Sequence, residues 1–128
     1  LFHGYTYSGH PLACAAALAS IDIYQEGNLF EKAIDLEQYW QDAIHSLKGL
    51  PNIIDIRNFG LIGAIELAPR DGKPGARAYD VFTNCFHQKD VLIRVTGDVI
   101  ALSPPLILEK AHIDALFSKI ADAIKETA

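Results

Sequence analysis

The sequence predicts an α+β domain in which a small, mostly antiparallel sheet is covered by helices. Three observations lead to this prediction. The 128 residues are 50% apolar and 21% charged, the balance of one globular domain with a hydrophobic core. Segments with apolar residues at helical spacing alternate with pairs of short apolar runs. A short turn containing glycine joins each pair of runs, which favours hairpins and therefore antiparallel pairing.

Two helices are expected at the start of the chain. Pro11 suits the first turn of a helix, where its missing N–H removes a donor that would lack a partner. The alanine-rich run from Pro11 to Glu26 has high helix propensity, and Gly27 and Asn28 interrupt it. A second helix is expected over 29–47, because apolar residues recur there at helical spacing.

The rest of the chain predicts two hairpins, each followed by a helix. The expected elements, in order, are strands over 53–58 and 61–67, a helix over 77–88, strands over 91–95 and 99–102, and a final helix with an apolar stripe from Ile113 to Ile124. The segment APRDGKPGA at 68–76 is rich in glycine and proline and is expected to be a surface loop. Thr96, Gly97 and Asp98 suit a tight turn between the last two strands.

Composition argues against several classes of protein. The formal net charge of −5 and the lack of a lysine or arginine run argue against a nucleic-acid-binding protein. Without an apolar span or a signal peptide, a cytoplasmic protein is expected. Cys14 and Cys85 have no metal-ligand spacing, so two reduced, buried thiols and no metal site are expected. Because the chain contains no methionine, it is expected to be a processed product, an excised domain or part of a longer protein.

The segment HGYTYSGHPLACAAAL, at 3–18, carries the first candidate site. Residues 5–8 supply four hydroxyl groups just before a predicted helix. Free N–H groups, the positive end of a helix dipole and nearby hydroxyls together suit an anion, most naturally a phosphate. The alternative is that Ser8 or His10 caps the helix and the tyrosines pack, and the residues alone leave both interpretations open.

Arg94 is the second candidate, because it lies in the apolar segment VLIRV, where a charge is costly to bury without a partner. It could pair with a buried carboxylate, reach solvent at the end of the strand, or bind a ligand carboxylate through its planar guanidinium. Among weaker candidates, His3 and His10 could orient the N-terminal turn. Arg57 and Asp98 are expected to hold the hairpins and an inter-domain contact rather than to bind a ligand.

Three segments in a fixed order carry a likeness to a known family. They are HGYTYSGHPLACAAAL at 3–18, RNFGLIGAIEL at 57–67 and VLIRVTGDVIALSPPLILEKAHID at 91–114. Together they resemble the class III (omega) aminotransferases, which are fold-type I enzymes that use pyridoxal 5'-phosphate. The Gly-His-Pro step that includes His10 most resembles the branch acting on omega-amino acids and amines with pyruvate, typified by omega-amino acid or beta-alanine–pyruvate aminotransferase.

The resemblance implies roles for Tyr5, Thr6 and Arg94. Tyr5 and Thr6 would bind the cofactor phosphate in the active site of the partner subunit, across the interface of a homodimer or higher homo-oligomer. Thr6 would supply its hydroxyl and N–H, and Tyr5 its N–H and an aromatic wall. Arg94 would bind a substrate carboxylate. None of the seven lysines stands in a context that resembles the family's Schiff-base lysine, so no catalytic residue is expected in this chain.

The resemblance also implies a domain layout and an activity. Within a single unit, 1–128, residues 1–28 would be the phosphate turn and a linking helix left from the large domain. Residues 29–128 would be the C-terminal small domain. The parent enzyme would move an amino group from an omega-amino acid or amine to a keto acid, and the chain alone would be inactive. The alternatives are a free-standing α+β module that binds a phosphorylated metabolite, and a dimerisation domain whose turn packs at an interface.

Overall fold

The computed structural model describes residues 4–128, so the predicted role of His3 lies outside the described residues. The elements, in order, are helices Pro11–Glu26 (α1) and Leu29–His45 (α2), strands Ile53–Phe59 (β1) and Ile62–Leu67 (β2), helix Ala76–Gln88 (α3), strands Arg94–Thr96 (β3) and Val99–Leu102 (β4), and helix Lys110–Glu126 (α4). Within residues 4–128, no helix is long and apolar enough to cross a membrane.

The four strands form one antiparallel sheet in the order β1-β2-β4-β3. Side chains alternate between the two faces of the sheet along each strand. The helices cover only one of these faces, which we call the inner face. Ile65 and Ile100 lie on the inner face and are fully buried. On the outer face, Phe59 and Ile62 are exposed, by 86% and 61%. The architecture confirms the predicted α+β class with an antiparallel sheet.

The core lies between the inner face of the sheet and helices α2, α3 and α4. Trp40 of α2 is fully buried, and its ring meets Phe117 of α4 edge-on, with centroids 4.9 Å apart. Gly63 of β2 faces this cluster. A Cβ at position 63 would lie 2.6 Å from Ile44 Cδ1 and 3.3 Å from Trp40 Nε1, so only glycine lets α2 approach the sheet this closely.

Helix α1 takes no part in the core, because none of its residues is buried. It packs against α2, where the Tyr24 and Phe30 rings lie 5.3 Å apart. The prediction that Cys14 is buried is therefore wrong, since Cys14 is an exposed free thiol. The other half of that prediction is confirmed, because Cys85 is a buried free thiol, and burial raises its pKa to about 11.

The predicted strand over 91–95 is also corrected, because β3 contains only residues 94–96. By the register that pairs Arg94 with Ala101, Ile93 would face Leu102, the last residue of β4, so Val91 and Leu92 lie beyond the end of the partner strand. The other predicted boundaries agree with the structure to within two residues.

Candidate functional site

Residues 5–10 form two consecutive turns that lead into α1, and we call them the N-terminal turn. The N–H of Ser8 donates to the carbonyl of Tyr5 (3.0 Å), and the N–H of His10 donates to the carbonyl of Tyr7 (3.2 Å). Gly9 has a φ of 74°, a conformation that favours glycine. Every residue of the turn is exposed. The turn therefore presents its surface away from the rest of the described chain.

The structure does not show the alternative in which Ser8 or His10 caps the helix. Neither Ser8 nor His10 caps α1 with its side chain; instead the Ser8 Oγ accepts a hydrogen bond from the N–H of Tyr5 (3.1 Å). Within residues 4–128, the N–H and the hydroxyl of Thr6 form no hydrogen bond. The first turn of α1 contains no acidic residue. Two unused donors beside the positive end of a helix dipole fit an anion such as a phosphate.

Arg94 lies in a strand, β3, as predicted, but it is on the outer face of the sheet and is exposed, so its charge is not buried. It stands at one end of a row that crosses all four strands, with Ala101, Ala64 and Arg57 as the next members. In the part of the chain that the structure describes, Arg94 forms no ion pair and no side-chain hydrogen bond.

Carboxylates do lie on the same face, but they are already bound. Arg57 Nη1 donates to Asp55 of the same strand (2.6 Å) and to Glu66 of β2 (2.9 Å), and the second bond joins β1 to β2. These hydrogen bonds, that to Asp55 first, raise the pKa of the Arg57 guanidinium above its usual value. The expectation that Arg57 holds a hairpin is confirmed. Arg57 thus engages two acids, while Arg94 remains available for an anion that residues 4–128 do not supply.

Asp98, at the tip of the hairpin that joins β3 to β4, also holds the structure together. Its carboxylate accepts hydrogen bonds from the N–H groups of Gly75 (2.6 Å) and Ala78 (3.5 Å) at the start of α3. Its backbone carbonyl accepts the N–H of Leu67 at the end of β2 (2.8 Å). The expected structural role of Asp98 is confirmed. Its contact with α3 was not anticipated, although Gly75, a cap without a side chain, is a signal that another residue must cap this helix.

A groove of about 840 Å³ opens beside Arg94. The segments 91–95 and 101–105 form two walls, and α4 contributes His112 and Lys119. Most of the lining is apolar, with Arg94, His112 and Lys119 as its basic groups and Asp90 as an acidic group. This composition suits a ligand that carries an acidic group on an apolar body.

The structure places the candidate residues in two separate regions. The N-terminal turn leads into α1, which packs on α2, whereas Arg94 lies on β3 at the edge of the sheet. No hydrogen bond or ion pair joins Thr6 to Arg94 in residues 4–128. Across the same residues, no three His, Cys, Asp or Glu side chains stand close enough together to hold a metal ion.

Comparisons with known proteins identify the family of the chain. The family model of aminotransferase class-III matches residues 1–124. Over 120 residues the chain is 61% identical to an omega-aminotransferase of Caulobacter vibrioides, covering 94% of this chain and 27% of that protein. Over 126 residues it is 40% identical to a beta-alanine–pyruvate aminotransferase of Pseudomonas aeruginosa, covering 98% of this chain and 28% of that protein. The chain therefore spans little more than a quarter of the length of these relatives.

Solved structures of transaminases contain the same fold over nearly the whole of this chain. A thermostable omega transaminase from Pseudomonas jessenii superposes with a TM-score of 0.90 at 30% identity, covering 100% of this chain and 30% of the transaminase. An adenosylmethionine-8-amino-7-oxononanoate aminotransferase from Methanocaldococcus jannaschii gives a TM-score of 0.87 at 32% identity, covering 98% and 30%. The fold is thus that of one part of a fold-type I transaminase. Sequence, fold and relatives agree, and the chain belongs to the class-III aminotransferase family.

Proposed function

We propose that this chain is the C-terminal part of a pyridoxal-phosphate-dependent omega-amino acid–pyruvate transaminase. The parent enzyme would move an amino group from an omega-amino acid or amine to a keto acid, and the chain alone would be inactive. One observation carries the proposal. In a chain 61% identical to an omega-aminotransferase, Arg94 is an exposed cation with no ion-pair partner within residues 4–128.

Arg94 would recognise the carboxylate that the keto acid and the amino-acid donors share. A guanidinium offers two parallel N–H groups to a carboxylate, which fixes both the position and the orientation of the substrate. The neighbouring carboxylates leave Arg94 available for this role, because Asp55 and Glu66 already form ion pairs with Arg57. The apolar groove beside Arg94 would accept the carbon chain of the substrate. An amine without a carboxylate would gain nothing from Arg94.

The N-terminal turn would hold the phosphate of pyridoxal 5'-phosphate in the partner subunit's site. The hydroxyl and N–H of Thr6, both unused within residues 4–128, and the nearby start of α1 fit a phosphate. Tyr5, which is 74% exposed, would add its aromatic wall. When bound, pyridoxal 5'-phosphate supplies the electron-sink chemistry of amino-group transfer. The lysine that holds this cofactor would come from the remainder of the parent enzyme.

The exposure of α1 supports the proposed division at residue 28 and the proposed homodimer. This helix is rich in apolar residues, and Leu12, Leu18 and Ile23 are more than half exposed. A helix that is apolar on several sides is normally covered on several sides. We propose that residues 1–28 pack against the large domain and the partner subunit, while 29–128 form the small domain. Two free thiols, Cys14 and Cys85, support the proposal that the enzyme works in the reducing cytoplasm.

The phosphate role is tested by Thr6→Ala in the intact parent enzyme, with Thr6→Ser as the matched variant that keeps the hydroxyl. A hydrogen bond to a charged group contributes about 1.5–3 kcal/mol, so Thr6→Ala should weaken cofactor binding about tenfold or more. Thr6→Ser should stay close to the wild type. Titration of the cofactor gives the dissociation constant, and analytical ultracentrifugation gives the oligomeric state.

The same experiment separates the alternative functions. Weaker cofactor binding by an intact dimer supports phosphate recognition. Loss of the dimer with unchanged cofactor affinity would instead identify the N-terminal turn as an interface segment, and residues 1–128 as a dimerisation domain. Tight binding of a phosphorylated metabolite by the chain alone would support a free-standing module.

Carboxylate recognition is tested by Arg94→Gln in the parent enzyme. Single-turnover reactions, followed by the absorbance of the cofactor, give an apparent dissociation constant for alanine and one for an amine without a carboxylate. The constant for alanine should rise about tenfold or more, because a charge-assisted pair is lost. The constant for the amine should change less than about twofold. An equal rise in the apparent dissociation constants of both substrates would contradict the role of Arg94.

A further inference from the structure

The strand that carries Arg94 is weakly held by its own sheet. β3 contains three residues and lies at the edge of the sheet, where it pairs with β4 through three residue pairs. In the described part of the chain, no strand lies on its other side. Short edge strands lack the second ladder that holds a central strand in place. The position of Arg94 therefore depends on contacts outside the ladder.

Asp98 supplies one set of these contacts. It lies four residues after Arg94, in the two-residue turn of Gly97 and Asp98, and Gly97 has a φ of 56°, which favours glycine. Gly75, the cap of α3, has no side chain, and the Asp98 carboxylate takes the place of one by accepting its N–H at 2.6 Å. A carboxylate at a helix N-terminus is further stabilised by the helix dipole.

Two more contacts fix the same turn. A Cβ on Gly75 would lie 3.6 Å from Gly97 Cα, so the backbones of the two turns are close. The carbonyl of Asp98 accepts the N–H of Leu67 at 2.8 Å. The tip of the hairpin is thus bound to α3 through a side chain and to β2 through the backbone. Only the first of these bonds depends on the identity of residue 98.

We propose that Asp98 is a positioning residue for carboxylate recognition. By binding the N-terminus of α3, Asp98 fixes the β3–β4 hairpin. It therefore holds Arg94 at the position from which the guanidinium can bind the substrate carboxylate. This inference rests on the proposed role of Arg94. Small displacements of a binding group have large effects, since about 1 Å can cost on the order of 100-fold in rate. Asp98 itself does not touch the substrate in this proposal.

The test uses the intact parent enzyme with bound cofactor and the variants Asp98→Ala and Asp98→Asn. Asp98→Ala removes both acceptors, whereas Asp98→Asn keeps one oxygen of similar shape and should retain part of the contact. Glu109→Ala is the control, because the Glu109 side chain belongs to the capping box at the start of α4 and lies outside the β3–β4 hairpin. Each variant is assayed in single turnovers with alanine and with an amine that has no carboxylate.

A positioning role predicts a split between the two substrates. Asp98→Ala should raise the apparent dissociation constant for alanine about tenfold and leave that for the amine within about twofold. Asp98→Asn should fall between Asp98→Ala and the wild type, and Glu109→Ala should shift neither constant. Equal shifts for both substrates, or no shift for alanine with either Asp98 variant, would overturn the inference.

Arg94→Gln, measured alongside, shows which proposal has failed. If Arg94→Gln weakens alanine binding and the Asp98 variants do not, only the positioning role of Asp98 is wrong. If Arg94→Gln leaves alanine binding unchanged, the carboxylate role of Arg94 is wrong and the inference about Asp98 falls with it. Asp98→Asn keeps the test decisive if Asp98→Ala does not fold.

Discussion

The close approach of α2 to the sheet at Gly63 leads to a sharp prediction about stability. In Gly63→Ala the new methyl would lie 2.6 Å from Ile44 Cδ1 and 3.3 Å from Trp40 Nε1. Both side chains are fully buried, and core side chains pack closely, so either can move away only by displacing its neighbours. Overpacking a core costs about 1–3 kcal/mol, and the replacement of glycine in a strand offsets about 0.5–1 kcal/mol. The net loss in the free energy of unfolding should be about 1–2 kcal/mol.

A second substitution tests the stated cause. Ile44→Val removes the Cδ1 atom and should alone cost about 0.5–1.5 kcal/mol. In that background Gly63→Ala should cost less than about 0.5 kcal/mol, since the closest clash is gone. Urea unfolding of the four proteins, followed by the fluorescence of the single tryptophan, Trp40, gives the coupling energy. If Gly63→Ala costs the same with Ile44 and with Val at position 44, the steric reasoning is refuted.

Two further predictions concern titratable groups. Hydrogen bonds from Lys89 and then Asn84 lower the pKa of Glu126 below 4.5, so Glu126 stabilises the fold above that pH and its contribution is lost as pH falls through the lowered value. Urea midpoints between about pH 6 and about pH 3 should fall further in the wild type than in Glu126→Gln, and parallel curves would contradict this linkage. Cys14 should be alkylated rapidly near pH 8 and Cys85 only in urea, because burial raises the Cys85 pKa to about 11. Intact-mass spectra check this order, and equal rates in the native chain would contradict it.

The secondary structure could be predicted closely because local signals and long-range packing agree. Pro11 starts α1, Gly97 turns the second hairpin, and the apolar stripe of α4 faces the core. The exception is β3, where the apolar run at 91–95 predicts five strand residues and three are paired. Strand length depends on the partner strand, and here β4 ends at Leu102, so that no β4 residue lies opposite Val91 or Leu92. A propensity read from one segment carries no information about that partner.

The candidate site was predicted less completely, for a different physical reason. Residue types and motifs make Thr6 and Arg94 candidates, but they do not show which charges are already paired. Three of the acids on the sheet and its turn, Asp55, Glu66 and Asp98, are bound by other groups of this chain. Which acids are paired depends on the register of β1, β2 and β4 and on the position of α3. It became visible only in the assembled fold.

The exposure of Arg94 also determines what this chain can do alone. An ion pair between exposed groups contributes about 0–1 kcal/mol, because water screens the charges and competes for the hydrogen bonds. A keto acid bound to Arg94 on this open face would therefore be held with a dissociation constant near the molar range. The same pair becomes much stronger when apolar walls exclude water and lower the local dielectric. The groove beside Arg94 supplies part of such a wall, and the remainder must come from outside these residues. If Arg94 has the proposed role, carboxylate recognition would thus require the assembled parent enzyme, to which this chain would contribute an exposed guanidinium.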